Sequence, residues 1–346
     1  VLTLWGALGG SIAGCGAKAT SSAKGDEPSS LPPSKAKPAA EVAAAFGDGT
    51  LPLGTSTSSE ADGSSERSAG FPLADADSLF SGLEPADFSE PLLAAESFLP
   101  DTEGGTDLSG FDTPVKSQGN RGWCTAFATV AAIENLASRT LSRRLDLSEI
   151  HHWSSYKDPS DIAGGATLFQ SANAAESQAI ALESVWPYRG QPTVSDVDAE
   201  GIAKITTSRS LSTRAAVLEA LDRRHPVVIG TRVTPSWQAQ ERVQITNDGV
   251  TSYRWQPKRG TPADDGIVRF LDGDDFTGGH AIAVVGYGLK EDVPGGGYFI
   301  LKNSWAEGLG DGGYYYLPFS WCQRRDGAGL QNYCYFIEVS AISVAD

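Results

Sequence analysis

The chain has 346 residues, 40% of them hydrophobic and 20% charged, with a formal net charge of −16. That is room for one large domain or two small ones around a sizeable core. No apolar run reaches the roughly 18 residues of a membrane span, and the acidity argues against a partner with a phosphate backbone, hence no nucleic acid.

The first element is an export signal. Val1 to Gly10 is apolar, and Ile12-Ala13-Gly14-Cys15 follows with small residues at the cleavage position. These residues resemble the lipobox of bacterial lipoproteins, in which the Cys is acylated and becomes the new N-terminus. The resemblance implies lipidation at Cys15, export, and a bacterial membrane as partner through the anchor. Gly16 after the Cys implies the outer membrane or cell surface. One departure is that no Lys or Arg precedes the apolar run. The alternative is a Cys within an ordinary cleaved signal peptide.

Residues 16–107 read as a disordered acidic linker. Residues 16–110 hold 16 Asp/Glu against 5 Lys/Arg, no Trp or Tyr and five Phe, so −11 of the net charge sits there and about a third of it elsewhere. Such a segment buries too little apolar surface to offset its chain entropy. The stretch Phe71–Leu99 is richer, with Phe71, Leu79, Phe80, Phe88 and Phe98 among acids. It reads as a sticky linker, with an inhibitory pro-segment lying across a cleft as the alternative.

In this oxidising setting the remaining cysteines divide. Cys322 and Cys334 lie 12 residues apart, and a disulfide between them closes a local loop. Two thiols with no nearby His make a poor metal site, and neither metal nor cofactor is expected. Cys124 is left unpaired, either inert or kept for reactivity. It follows an extended Thr113-Pro114-Val115-Lys116 strand and a glycine-rich turn, and opens a helix whose apolar face includes Phe127, Val130, Ile133 and Leu136. A thiol at a helix N-terminus has its pKa lowered by the free N–H groups there.

Downstream, His280 opens the apolar run Gly279 to Gly288, a buried strand with glycines beside the ring. A second strand, Tyr298 to Lys302, leads to Asn303-Ser304-Trp305 and a glycine-rich turn. The segment from Gln118 to Phe127, the His-initiated strand and the Asn-Ser-Trp block resemble, in that order, the motifs of papain-like cysteine peptidases, of a bacterial branch. The resemblance covers about residues 108–340, and the domain it implies runs over 108–346. It implies an α+β, papain-like two-lobe fold, with a helical left lobe and an antiparallel β-sheet or barrel as right lobe. It further implies Cys124 as nucleophile, His280 as base, Asn303 as its orienter and Gln118, six residues before the Cys, as oxyanion donor. Gly164, Gly165, Gly279 and Trp305 are implied to bind substrate or shield the site. Arg121 stands where many relatives carry a disulfide Cys, and Thr125 where an aromatic is usual.

Weaker features keep the order. Ser148 is read as a helix N-cap, Trp186-Pro187-Tyr188 as an aromatic turn, and Pro226-Val227-Val228 as the start of the second lobe. Residues 238–265 are read as a polar surface insertion, His151 and His152 as helix-surface residues, and His225 as structural. The expected activity is a monomeric cysteine endopeptidase acting on peptide or protein substrates, tethered to the cell envelope. A catalytically silent peptide binder and a thiol-dependent transpeptidase or amidase stay open as alternatives.

Overall fold

The computed structural model describes residues 32–47, 71–72, 78–89, 104–161, 164–188, 200–247 and 250–345. The export signal and Cys15 lie outside the described residues. Helix α1 (Ala39–Gly47) comes first, followed by the short strands β1 (Phe71–Pro72) and β2 (Gly105–Asp107). Helix α2 (Cys124–Leu141) starts at the cysteine and stops where Ser142 turns left-handed, φ 52°. Helix α3 (Glu149–Ser154) is capped by Ser148, whose hydroxyl accepts from the His151 N–H. Helix α4 (Leu168–Ser177) opens with a capping box between Thr167 and Gln170. These three helices form the left lobe. Trp123, Phe127, Ile150, Trp153 and Trp186 pack together there, with Trp123 stacked 5.1 Å from Trp153.

The right lobe is built on β3 (Ala203–Leu211), α5 (Arg214–Asp222) and β4 (Val227–Val233). It continues through the ribbon β5 (Gln240–Asn247) and β6 (Val250–Pro257), the single turn α6 (Pro262–Asp265), β7 (Gly278–Leu289), β8 (Gly297–Lys302), β9 (Tyr314–Pro318) and β10 (Tyr335–Val344). The strand order is β3-β10-β4-β7-β8-β9, antiparallel throughout, with β1 and β2 also pairing on β7. The α+β arrangement is the one expected. Strand β7 is central and buried along its first eleven residues, hence its unbroken apolar sequence. A Cβ on Gly286 would stand 2.4 Å from the Thr106 carbonyl, and one on Gly288 2.5 Å from the Tyr298 ring. Those approaches account for the Gly-Tyr-Gly ending of the strand.

Two parts of the expected linker are corrected. Residues 32–47 dock on the right lobe. Val42 and Ala43 are buried with Leu108, Phe111, Tyr298 and Tyr316, and Lys37 pairs with Asp311 at 3.4 Å. Residues 78–89 dock too: Leu79, Phe80, Ala86 and Phe88 are all buried. Window-averaged composition misled here, because these few apolar side chains add to a core built by other residues rather than to one of their own. A second correction concerns Thr113–Lys116, which is extended but joins no ladder; the nearby pairing is one bridge between Ser117 and Trp305. The polar insertion at 238–265 is the β5–β6 ribbon and α6.

Candidate active site

The site forms where the start of α2 meets the start of β7. Cys124 is the first residue of α2, and its thiol lies within reach of the Ala281 backbone N–H, next in chain to His280. His280 pairs with Thr231 of β4, which fixes its backbone, and its side chain is held by two neighbours. Asn303, just past the end of β8, accepts from His280 Nε2 at 2.8 Å, and Trp305 stacks on the ring with centroids 4.5 Å apart. The ring's other nitrogen, Nδ1, has no partner among the described residues. The hydrogen bond to Asn303 therefore leaves Nδ1 as the nitrogen available for proton exchange.

Gln118 is brought to the same place. Its Oε1 accepts from the Ser304 hydroxyl at 2.6 Å, its Nε2 donates to the Arg121 carbonyl at 2.7 Å, and its backbone carbonyl accepts from the Tyr188 hydroxyl at 2.9 Å. An amide NH2 carries two donors, so one remains beyond the Arg121 bond. Ser304 and Tyr188 thus orient a residue that its spacing from Cys124 alone had marked. The Gly164 N–H donates to Asp161 Oδ1 at 2.7 Å, and a Cβ there would strike that carboxylate. Gly165 is half-buried beside it. Gly279 is in β7, opposite Arg232 on one side and Phe71 on the other.

Cys124, His280 and Gln118 all show 0% exposure. Burial pushes the Cys124 thiol up to about 12, against the lowering by backbone donors of Ala281, Thr125 and Cys124 itself. Burial also pushes the His280 imidazole down to about 4, with Asn303 opposing. Burial thus favours the neutral form of both groups, against the thiolate expected from the helix terminus. Residues 71–72 and 78–89 of the chain pack beside the site. β1 pairs Phe71 and Pro72 with Gly279 and Gly278, immediately before His280. Leu79 and Phe80 share a buried cluster with Cys124, Leu168, Val228 and Ala281. Phe80 stacks on Tyr335 at 4.4 Å, and a Cβ on Gly230 would stand 2.8 Å from its ring. Beyond it, the Ala86 N–H donates to the Cys334 carbonyl at 2.9 Å.

Behind the site lies a buried polar chain that the motifs did not reveal. Lys302, next to Asn303, donates to Thr113 at 2.9 Å, and Thr113 donates to Glu134 of α2. Lys116 reaches Glu134 at 3.0 Å, Asp146 at 2.9 Å and Glu149 at 2.8 Å. Burial would lower the Lys116 pKa, but Glu149 and Glu134 more than offset it and raise it. Burial raises Glu149 to about 7 despite Lys116. The chain ties the helix bearing Cys124 to the strand bearing Asn303.

The other predicted residues fall elsewhere. Cys322 and Cys334 form the expected disulfide, and Cys124 is free. His151 and His152 are not on the surface: both are buried, His151 Nδ1 accepting from the Ala181 N–H at 3.3 Å and His152 Nε2 bonded to Ser171 at 2.9 Å. Helix α4 and the 180–188 segment cover both sides of α3, which its short length did not signal. His225 is structural, 2.7 Å from Glu338.

The profile of the papain family cysteine proteases matches residues 107–257 and 263–329, and the chain belongs to that family. Among similar proteins, pro-cathepsin H of Medicago truncatula is 26% identical over 211 residues, 58% of this chain and 52% of that protein. The viral cathepsin of Cydia pomonella granulosis virus is 28% identical over 219 residues, 62% and 56% respectively. The chain spans about half the length of the curated relatives it matches. Among solved structures, xylellain, a cysteine protease from Xylella fastidiosa, shares the fold at 18% identity with a TM-score of 0.50, over 82% of this chain and all of that one.

Proposed function

We propose that this protein is a cysteine peptidase that cleaves peptide bonds with Cys124 as nucleophile, and that residues 71–89 hold it shut. The carrying observation is the imidazole of His280, held by Asn303 and Trp305 with Nδ1 unpartnered among the described residues, one residue before the Ala281 N–H that reaches the Cys124 thiol. When the segment leaves and substrate enters, Cys124 passes its proton to His280 Nδ1 and attacks the carbonyl carbon. Negative charge on the carbonyl oxygen is held by the Cys124 backbone N–H, unused within the helix, and by Gln118 Nε2, about 3 kcal/mol per donor. His280 protonates the leaving amine, then takes a proton from the water that releases the acyl group. Asn303 keeps the ring aimed through both steps, and Trp305 covers their hydrogen bond from water.

The closed state fits this reading. A neutral thiol and a neutral imidazole are the unreactive form of the pair, and the segment that buries them also occupies an apolar pocket with Phe80. A substrate's large apolar side chain fits that pocket once Phe80 is withdrawn. The test is Cys124→Ala: it should lose peptide hydrolysis and epoxysuccinyl labelling while keeping its melting temperature, and undiminished hydrolysis overturns the assignment. Unlabelled but fully folded native enzyme, even after removal of residues 71–89, would favour the silent peptide binder. Capture of the acyl group by added amines in preference to water would favour transpeptidase chemistry.

The Ile12-Ala13-Gly14-Cys15 motif supports a lipid anchor upstream of this domain. Fatty-acid labelling that persists in Cys15→Ser would overturn it.

A further inference from the structure

The β5–β6 ribbon is a sheet of its own, unpaired with the main sheet. Its strands pair in register from Gln240↔Pro257 at the root to Asn247↔Val250 at the tip, and the Lys258 N–H closes the root on the Ala239 carbonyl at 3.0 Å. Eight residues per strand make an arm of about 26 Å. The outer edge of each strand presents backbone N–H and C=O groups without a ladder partner among the described residues, a template for an extended chain.

The ribbon itself, residues 240–257, is balanced at two Arg against two Asp/Glu, and Lys258 and Arg259 at its root make the arm basic. Residues 240–259 hold four Arg/Lys against two Asp/Glu in a chain of −16. Arg242, Arg254, Lys258 and Arg259 are all exposed, and Glu241 is engaged with Gln256 at 2.9 Å. Tyr253 is 54% exposed, with the Arg242 guanidinium 4.0 Å over its ring. Such a pairing of arginine and exposed aromatic offers both charge and apolar contact to a passing chain.

The root is tied to the catalytic ring. Trp237, at the foot of the arm, is fully buried and lies 5.9 Å from Tyr315; Tyr315 lies 6.1 Å from Trp305, and Trp305 stacks on His280 at 4.5 Å. Strand β4, which feeds the arm, pairs Val233 with Gly278, two residues before His280.

We propose that the ribbon is a docking arm that binds acidic, extended segments of protein substrates as they leave the cleft past Gly278 and Gly279. The proposal rests on the peptidase reading. The rest of the molecule repels acidic proteins, so the arm supplies the local attraction they need, by edge pairing and by its arginines.

Binding is measured on the full chain carrying Cys124→Ala, with fluorescein-labelled dephosphorylated casein, an unfolded acidic protein, as probe. Replacing residues 241–256 by a Gly-Gly turn, or introducing Arg242→Glu with Arg254→Glu, is expected to weaken binding about tenfold or more. Added salt should weaken the intact arm and leave the altered ones unmoved. Equal affinity with and without the arm overturns the proposal, as does equally tight binding of a basic unfolded protein by the intact chain. In the background with Cys124, cleavage of a short fluorogenic peptide should stay within about twofold, because it ends before the arm. Were the chain freed of residues 71–89 to cleave no peptide while binding still depended on the arm, the peptidase reading would fall and the docking arm would stand.

Discussion

Removing the Phe80 side chain tests whether the chain's own segment holds the site shut. The ring is 4% exposed, stacked 4.4 Å from Tyr335 and confined by Leu168 and Gly230. Truncating a buried Phe to Ala costs about 3–5 kcal/mol. That cost falls on the closed state, since in the open state the ring is already in water. At the lower figure the open-to-closed ratio rises roughly 150-fold, at 1.4 kcal/mol per decade. The full-chain Phe80→Ala variant should therefore react with an epoxysuccinyl label about a hundredfold faster, followed by intact mass against time. Gly230→Ala should act in the same direction, because its Cβ would stand 2.4 Å from Leu168 Cδ1 and 2.8 Å from Phe80 Cε1. The label reacts only at an assembled site, so global unfolding would slow it, and melting temperature is recorded alongside. Equal labelling rates for Phe80→Ala and the parent chain refute the reasoning.

Three further outcomes are expected. His280 is held near 4 when closed, against 6.5 for a free imidazole, so closure is fully favoured above about 6.5 and is lost as pH falls toward 4. That loss amounts to about 3 kcal/mol at most, and labelling of the full chain should accelerate across this window; a flat profile contradicts it. Lys116→Met leaves Glu134 and Glu149 without their shared cation and should destabilise the fold by about 3 kcal/mol in urea, more than any exposed lysine removed singly. Cys322→Ser with Cys334→Ser should cost about 2–3 kcal/mol for a 12-residue loop, read as a fall in the urea midpoint with a slope that rises as the unfolded chain expands.

The proposed reacting groups are legible because each sits at a junction the sequence marks: Cys124 where a glycine-rich turn becomes a helix, His280 and Asn303 at opposite ends of neighbouring strands. What holds them was less legible. Ser304 and Tyr188 reach Gln118 across the fold, and Lys116, Glu134 and Lys302 meet only because two lobes close on them; no local pattern announces such pairs. The helical periodicity of α2 even marks Glu134 as an interruption of the apolar face, though it is 1% exposed. The docking of residues 32–47 and 78–89 within the acidic first third was not legible. The alternation of apolar and acidic residues there has no period that predicts docking, because Phe80 and Phe88 insert singly into gaps left by the catalytic domain.

Helix α1 has a mechanical consequence. Val42 is sealed in the right lobe, Lys35 donates to the Asp112 carbonyl, Lys37 pairs with Asp311, and Pro32 runs hard against Gly110. Tension applied to the chain upstream of residue 32 is borne by these contacts, in shear along the flank of the right lobe. A tug on the N-terminus therefore stops at the domain wall before it can peel β1 from Gly279 and uncover His280.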